Sequence, residues 1–389
     1  MKINCDEIIK QVVSEVKTQN QNAILAQIQG KTTKTAVLTK NRKYEIREYP
    51  IPELGKQDIL IKVDGCALTS ADLEEYLRDC RHTVTAVFGK EGTGTIIKMG
   101  SEGLKDTTGH LLNVGDRVVT NMNYNGSEQL SYAKNRQKEG VSSGFGIVNG
   151  AKGWFSEYII VKGGGALIRL GNVDAESALL FEPAVKVIRL VGRAIEMKKL
   201  QTDSTVVVQG CGLYGLLCIA ALRSMDVTSI IAIDGIQSRM DMAKAFGASE
   251  VIDYHTDNGA EDVANRIKEK TGKLADVAFQ CVADPIGRAA ITCFVNEKGA
   301  ICEFPMKENR GVNGIGPQFD LSGLNYISLG FWHPIAPDYV TCLDFFKKAK
   351  EMKIPVYKLV THRFRLSQIN EAHWAALRGE GFRIAIVSR

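Results

Sequence analysis

Two short stretches carry side chains that could do chemistry. The first is FGKEGTG, where Lys90 and Glu91 stand side by side among small and apolar residues. An ammonium held in a pocket can donate to a carbonyl oxygen, offset charge developing on it, or trade a proton with it. The plainer alternative is a salt bridge that only fills space. The second stretch is Gly210-Cys211-Gly212-Leu213-Tyr214-Gly215, a GxGxxG turn between the β-branched run TVVVQ and an apolar segment of helical length. There the first glycine permits a tight turn and the second admits a pyrophosphate against the backbone. The third lets the helix pack on the strand, and the helix N-terminus faces the anion. The next β-branched run, SIIAID, ends in Asp234. A carboxylate at that spacing suits the ribose hydroxyls and repels a 2′-phosphate, so NAD is expected ahead of NADP. Arg239 follows closely and could offset part of the repulsion. A glycine turn with no ligand is the alternative.

These residues need elements to hold them. From about Ser177 onward, apolar helical segments alternate with short β-branched runs: STVVVQ, SIIAID, EVIDY, ADVAFQCV and GAICEFP. That alternation predicts an α/β fold with a doubly wound parallel sheet. From Ala36 to about Val161 the texture is β-rich, with DILIKVDGCAL, GTIIKMG, DRVVT and SEYIIV separated by glycines and charged turns. The tail, THRFRLSQINEAHWAALRGEGFRIAIV, returns to strand, helix, strand.

The pieces together resemble the medium-chain dehydrogenase/reductase family, in its zinc alcohol and polyol dehydrogenase branch. The resemblance covers about residues 36–389. It rests on GCALTSADLEEYL, FGKEGTGTIIKMG, GDRVV, FSEYIIV, LLFEPAVKVI, the glycine turn and THRFRLSQINEA. It implies a GroES-like catalytic domain, here 35–184 with 333–389, and a Rossmann NAD-binding domain, 185–332. The implied reaction is hydride transfer between a small alcohol, polyol or aldehyde and a nicotinamide, in a homodimer or homotetramer.

The departures are as informative. The family's catalytic zinc takes a cysteine, a histidine and a cysteine or glutamate. Those positions match Thr69, Lys90 and Glu182 here. Position 71, often a proton-relaying hydroxyl in the family, is Ala71. The family's structural zinc lobe, usually with four cysteines, corresponds to Asn121–Gly153, which has none. No metal is therefore expected, because a protonated amine cannot coordinate a cation. In its place the Lys90 ammonium, paired with Glu182, Glu91 and Asp72, is expected to hold positive charge opposite the nicotinamide. Thr69 offers a hydroxyl to substrate. By resemblance Arg383, in GFRIAIV, meets the cofactor pyrophosphate; a surface ion pair is the alternative. Two other functions stay open. One is reduction of an activated C=C bond, and the other is a silent cargo protein that binds NAD and turns nothing over.

Bulk properties narrow the rest. The formal net charge of +5 is small for 389 residues and the basic side chains are scattered, so no nucleic-acid partner is expected. Nine cysteines, odd in number and without a CxxC pair, read as reduced thiols and place the chain in the cytoplasm. Glu7, Lys10 and Glu15 interrupt any secretory-type apolar run. Ser204–Leu222 is uncharged and nearly long enough to span a bilayer, but three glycines make it a strand, a turn and a helix; no membrane partner is expected. Residues 1–34 read as an amphipathic helix and a polar linker, with Ile8, Ile9, Val12, Val13 and Val16 on one face. They resemble the encapsulation peptides of bacterial microcompartment enzymes. The resemblance implies shell or cargo proteins as partners of residues 1–17. A helix that packs on its own subunit is the alternative.

Overall fold

The computed structural model describes residues 32–39, 41–77, 86–120, 153–163, 167–304, 327–329 and 334–388. The amphipathic helix expected in residues 1–17 and the segment 121–150 lie outside the described residues. The chain runs first through β1 (Thr32–Leu38), β2 (Tyr44–Pro50), β3 (Asp58–Ala67), α1 (Ser70–Leu77), β4 (Ala86–Val87), β5 (Glu91–Met99), β6 (Arg117–Thr120), β7 (Tyr158–Lys162), β8 (Leu167–Arg169) and α2 (Ala175–Ala178). It continues through α3 (Phe181–Glu196), β9 (Thr205–Gln209), α4 (Leu213–Ser224), β10 (Ser229–Asp234), α5 (Gln237–Phe246), β11 (Glu250–Asp253) and α6 (Ala260–Thr271). Then come β12 (Ala275–Gln280), α7 (Pro285–Ala290), β13 (Val295–Glu303), β14 (Ile327–Leu329) and α8 (Ala336–Glu351), and last β15 (Val360–Arg365), α9 (Ile369–Leu377) and β16 (Arg383–Val387).

The chain divides into two units. The first holds residues up to Leu179 together with Val360–Arg389, and the second is Leu180–Leu359. The second crossing thus falls at 359/360, where the sequence pattern had put it at 332/333. The reason is α8, whose aromatic face completes the core of the second unit. Phe181 of α3 stacks on Tyr339 and Phe346, with ring centroids 6.5 and 6.0 Å apart. Without α8 the buried Phe181 ring would face water, at a cost of roughly 1.5–3 kcal/mol.

In the first unit, strand register builds the floor of the site. The largest sheet runs β15-β16-β3-β5-β6-β8, with β7 also paired to β3. β3 is therefore central, and most of its residues are buried. At its C-terminal end Ala67 faces Glu91 of β5 on one side and Ala385 of β16 on the other. Residues far apart in sequence are thereby brought to one place. A smaller sheet, β2-β1-β4, packs its apolar residues into the same core, centred on Trp154, Phe155, Ile59 and Ile61.

That core also holds a fully buried histidine. The His373 ring lies 4.6 Å from that of Tyr44, 5.0 Å from Tyr76 and 6.0 Å, edge on, from Phe155. Its Nδ1 is 2.9 Å from the Ile369 carbonyl, which can only accept, so Nδ1 carries the proton. Nε2 has no partner. Burial lowers the His373 pKa from 6.5 to about 4, so the neutral ring is the native form. The unfolded chain takes up this proton below pH 6.5, the folded chain only near pH 4. The contribution is complete above pH 6.5 and is lost as pH falls toward 4, by about 3 kcal/mol. His373→Phe should flatten this part of the acid limb. Urea midpoints at pH 7 and pH 4.5 for both proteins check it; equal acid sensitivity would refute the assignment.

The second unit is a six-stranded sheet in the order β11-β10-β9-β12-β13-β14, with every pairing parallel. Counted within the sheet this is 3-2-1-4-5-6, and the order reverses between β9 and β12. β9 is buried along its whole length, as a parallel strand covered on both faces must be. α4, inside the stretch that could pass for a membrane span, is a buried core helix of 12 residues. Among the described residues no helix is long and apolar enough to cross a membrane.

Candidate active site

In the first unit, a polar cluster surrounds Asp72. Thr69 precedes α1 and Asp72 lies in its first turn, so the two cap the helix reciprocally. The Asp72 N–H donates to Thr69 Oγ1 at 3.2 Å, and the Thr69 N–H donates to Asp72 Oδ2 at 2.9 Å. The Thr69 hydroxyl donates to the same oxygen at 2.6 Å. A third residue joins from the other side. Gly89 adopts φ +97°, a left-handed geometry that glycine tolerates, and its N–H donates to Asp72 Oδ1 at 3.2 Å. The Asp72 carboxylate is wholly buried, while Thr69 is half-buried above it. Burial pushes the Asp72 carboxyl up; its Thr69 hydrogen bonds and the Lys90 charge pull against that.

Lys90 follows Gly89 directly and is half-buried, with its ammonium in the field of Asp72. Thr120 Oγ1 donates to its backbone carbonyl at 3.0 Å and pins the strand entry. The other two expected partners of Lys90 have different occupations. Glu91 pairs with Arg383, and both side chains are about nine-tenths buried. Glu182 belongs to the second unit, buried near the start of α3, with Lys186 at 3.3 Å. Arg383 is likewise not a surface residue. Its Nε donates to the Leu179 carbonyl at 3.1 Å and its terminal nitrogen to Glu91, so its first task is structural.

Cys66, three residues before Thr69, is fully buried. Burial pushes its thiol well up, with Asp72 and Glu91 adding and Arg383 opposing. Among the described residues no group of three or more His, Cys, Asp and Glu side chains is placed to hold a metal ion. A tetrahedral zinc needs deprotonated soft or imidazole donors, and an ammonium and a hydroxyl already spent on Asp72 do not supply them. Tyr76, on α1, is part of the core.

In the second unit, a separate candidate site sits at the switch point of the parallel sheet. Gly210 takes φ +89°, and a Cβ there would fall 2.5 Å from Val282 Cγ1. A Cβ on Gly215 would lie 1.8 Å from the Gly210 carbonyl oxygen, so only glycine lets α4 approach β9 this closely. Gly212 opens onto free space at the N-terminus of α4, with nothing within 4 Å of a Cβ placed there. That opening suits a pyrophosphate on backbone N–H groups. Leu213 and Tyr214 are half-buried, and the Tyr214 ring lies 5.2 Å from that of Phe304.

Asp234 ends β10 beside this turn and is buried. Its Oδ2 accepts the Cys211 N–H at 2.7 Å, and its Oδ1 accepts those of Gly235 and Ile236, both at 2.9 Å. Three of about four acceptor positions are thus in use, which leaves room for one ribose hydroxyl more readily than for two. Arg239 is half-buried on α5, near enough to act on the Cys211 thiol. His255, with nothing in its sequence spacing to single it out, presses on the turn after Asp234: a Cβ on Gly235 would fall 2.4 Å from its Nε2.

Both parts of the chain match known protein families. Residues 55–170 match the alcohol dehydrogenase GroES-like domain, and residues 214–315 match the zinc-binding dehydrogenase domain. The chain is 31% identical over 260 residues to an (R,R)-butanediol dehydrogenase of Bacillus subtilis, covering 64% of this chain and 69% of that protein. It is 26% identical over 346 residues to a sorbitol dehydrogenase of Halalkalibacterium halodurans, covering 88% and 95%. An alcohol dehydrogenase from Thermotoga maritima has the same fold, with TM-score 0.76 at 19% identity over 92% of this chain and 100% of that one.

Proposed function

We propose that this chain, which belongs to the medium-chain dehydrogenase/reductase family of zinc-binding alcohol and polyol dehydrogenases, interconverts a small alcohol or polyol and its carbonyl without a catalytic zinc. Membership makes the chain an oxidoreductase linked to a nicotinamide dinucleotide. The relatives named for butanediol and sorbitol support a substrate with more than one hydroxyl. The buried Asp234 carboxylate supports NAD over NADP.

The observation that carries the zinc-free reading is the half-buried Lys90 beside the buried Asp72, at the position of a family ligand. Its ammonium donates to the substrate oxygen and offsets the alkoxide charge present during hydride transfer. Thr69 orients that oxygen from the other side. The bound dinucleotide supplies the hydride acceptor or donor. Gly210–Gly215 and Asp234 hold and orient it.

Metal analysis combined with turnover tests this. Freshly purified enzyme should contain well below one zinc per chain. It should reduce small aldehydes or ketones with NADH at the same rate before and after a strong chelator. Stoichiometric zinc whose removal abolishes turnover would overturn the reading. Rapid turnover of enones with none of carbonyls or alcohols would move it to C=C reduction, where the same ammonium would face an enolate.

A further inference from the structure

We infer that the proton released by the substrate alcohol leaves through the Thr69 hydroxyl to the carboxylate of Asp72. This deepens the dehydrogenase reading and rests on it. A threonine hydroxyl has one proton to donate and two lone pairs to accept with. The proton is committed to Asp72 Oδ2 at 2.6 Å, and one lone pair takes the Asp72 N–H at 3.2 Å. One lone pair remains. Toward a ligand Thr69 is therefore an acceptor only, and an alcohol that meets it must be the donor. The carboxylate is wholly buried while Thr69, its hydroxyl partner, is half-buried, so a ligand would reach Asp72 through Thr69.

The step balances. The substrate O–H bond breaks and its proton bonds to Thr69 Oγ1. The original Thr69 O–H bond breaks and that proton bonds to Asp72 Oδ2. The carbinol C–H leaves with its electron pair as hydride to the nicotinamide that the family's activity supplies, and the C=O bond forms. Asp72 ends neutral, the form its burial favours. Lys90 acts on this carboxylate, and Asp72, Glu91 and Arg383 all act on the neighbouring Cys66 thiol. In carbonyl reduction the same two protons run back.

A helix cap needs no relay, so the test separates the two jobs. Asparagine caps a helix as well as threonine does but has no hydroxyl proton to pass on. Thr69→Asn should melt within a few degrees of wild type and lose roughly 100-fold in kcat with little change in KM. Thr69→Ser keeps both jobs and should stay within a few-fold of wild type. The wild-type proton inventory, measured in mixtures of H2O and D2O, should bow as expected for two protons in flight. Thr69→Asn with full kcat, or a linear inventory, would overturn the relay and leave the dehydrogenase reading standing. Absence of alcohol or carbonyl turnover in the wild-type chain would sink that reading itself. Should Thr69→Asn fail to fold, the inventory still decides.

Discussion

Lys90→Met should lower kcat by roughly 100-fold to 1000-fold while NADH still binds, because on the proposed reading it removes the positive charge that offsets the alkoxide. The size follows from comparable cases, in which loss of one preorganised donor costs about 3–4 kcal/mol of transition-state stabilisation. Methionine matches the unbranched stem of lysine, so packing changes little. The half-buried position matters here, since an ammonium in open water would be screened. Steady-state kinetics with NADH fluorescence titration distinguish the outcomes. Unchanged kcat would reduce Lys90 to a space-filling cation. Weakened NADH binding with unchanged kcat would place its effect on the cofactor.

A second large effect is expected in stability. Glu91→Ala should destabilise the first unit by about 3–5 kcal/mol, the usual result of leaving a buried charge without its partner. The two side chains are 7% and 11% exposed, too dry for water to replace the missing group. The double variant Glu91→Leu with Arg383→Met should regain most of that loss, since two apolar groups of similar volume need no partner. Urea midpoints for the single and double variants give the answer. A Glu91→Ala midpoint equal to wild type would show that the pair contributes nothing.

How much of this could be read from sequence depended on whether the relevant partners were local. GCGLYG following TVVVQ placed the turn, the helix and the switch point, because each of its glycines answers a steric demand within a few residues. Asp234 was legible for the same reason, although the three N–H groups that fill its carboxylate were not. The partners of Lys90 were harder. Glu91 is its sequence neighbour, yet strand geometry turns adjacent side chains apart and hands Glu91 to a residue 292 positions away. T-x-x-D at Thr69–Asp72 is a capping signature in its own right. Its setting shows only once Gly89 and Lys90 arrive from the link between β4 and β5.

The same register governs how the newly made polypeptide can close. β16 pairs with β3, and Arg383 meets Glu91, only after the whole of Leu180–Leu359 has been threaded between them. The second unit is contiguous and can finish as soon as it emerges from the ribosome. The first must hold an open sheet edge and an unanswered carboxylate until its last strand is translated. Birth order and completion order are therefore reversed, and the stretch made first spends longest exposed to chaperones and proteases.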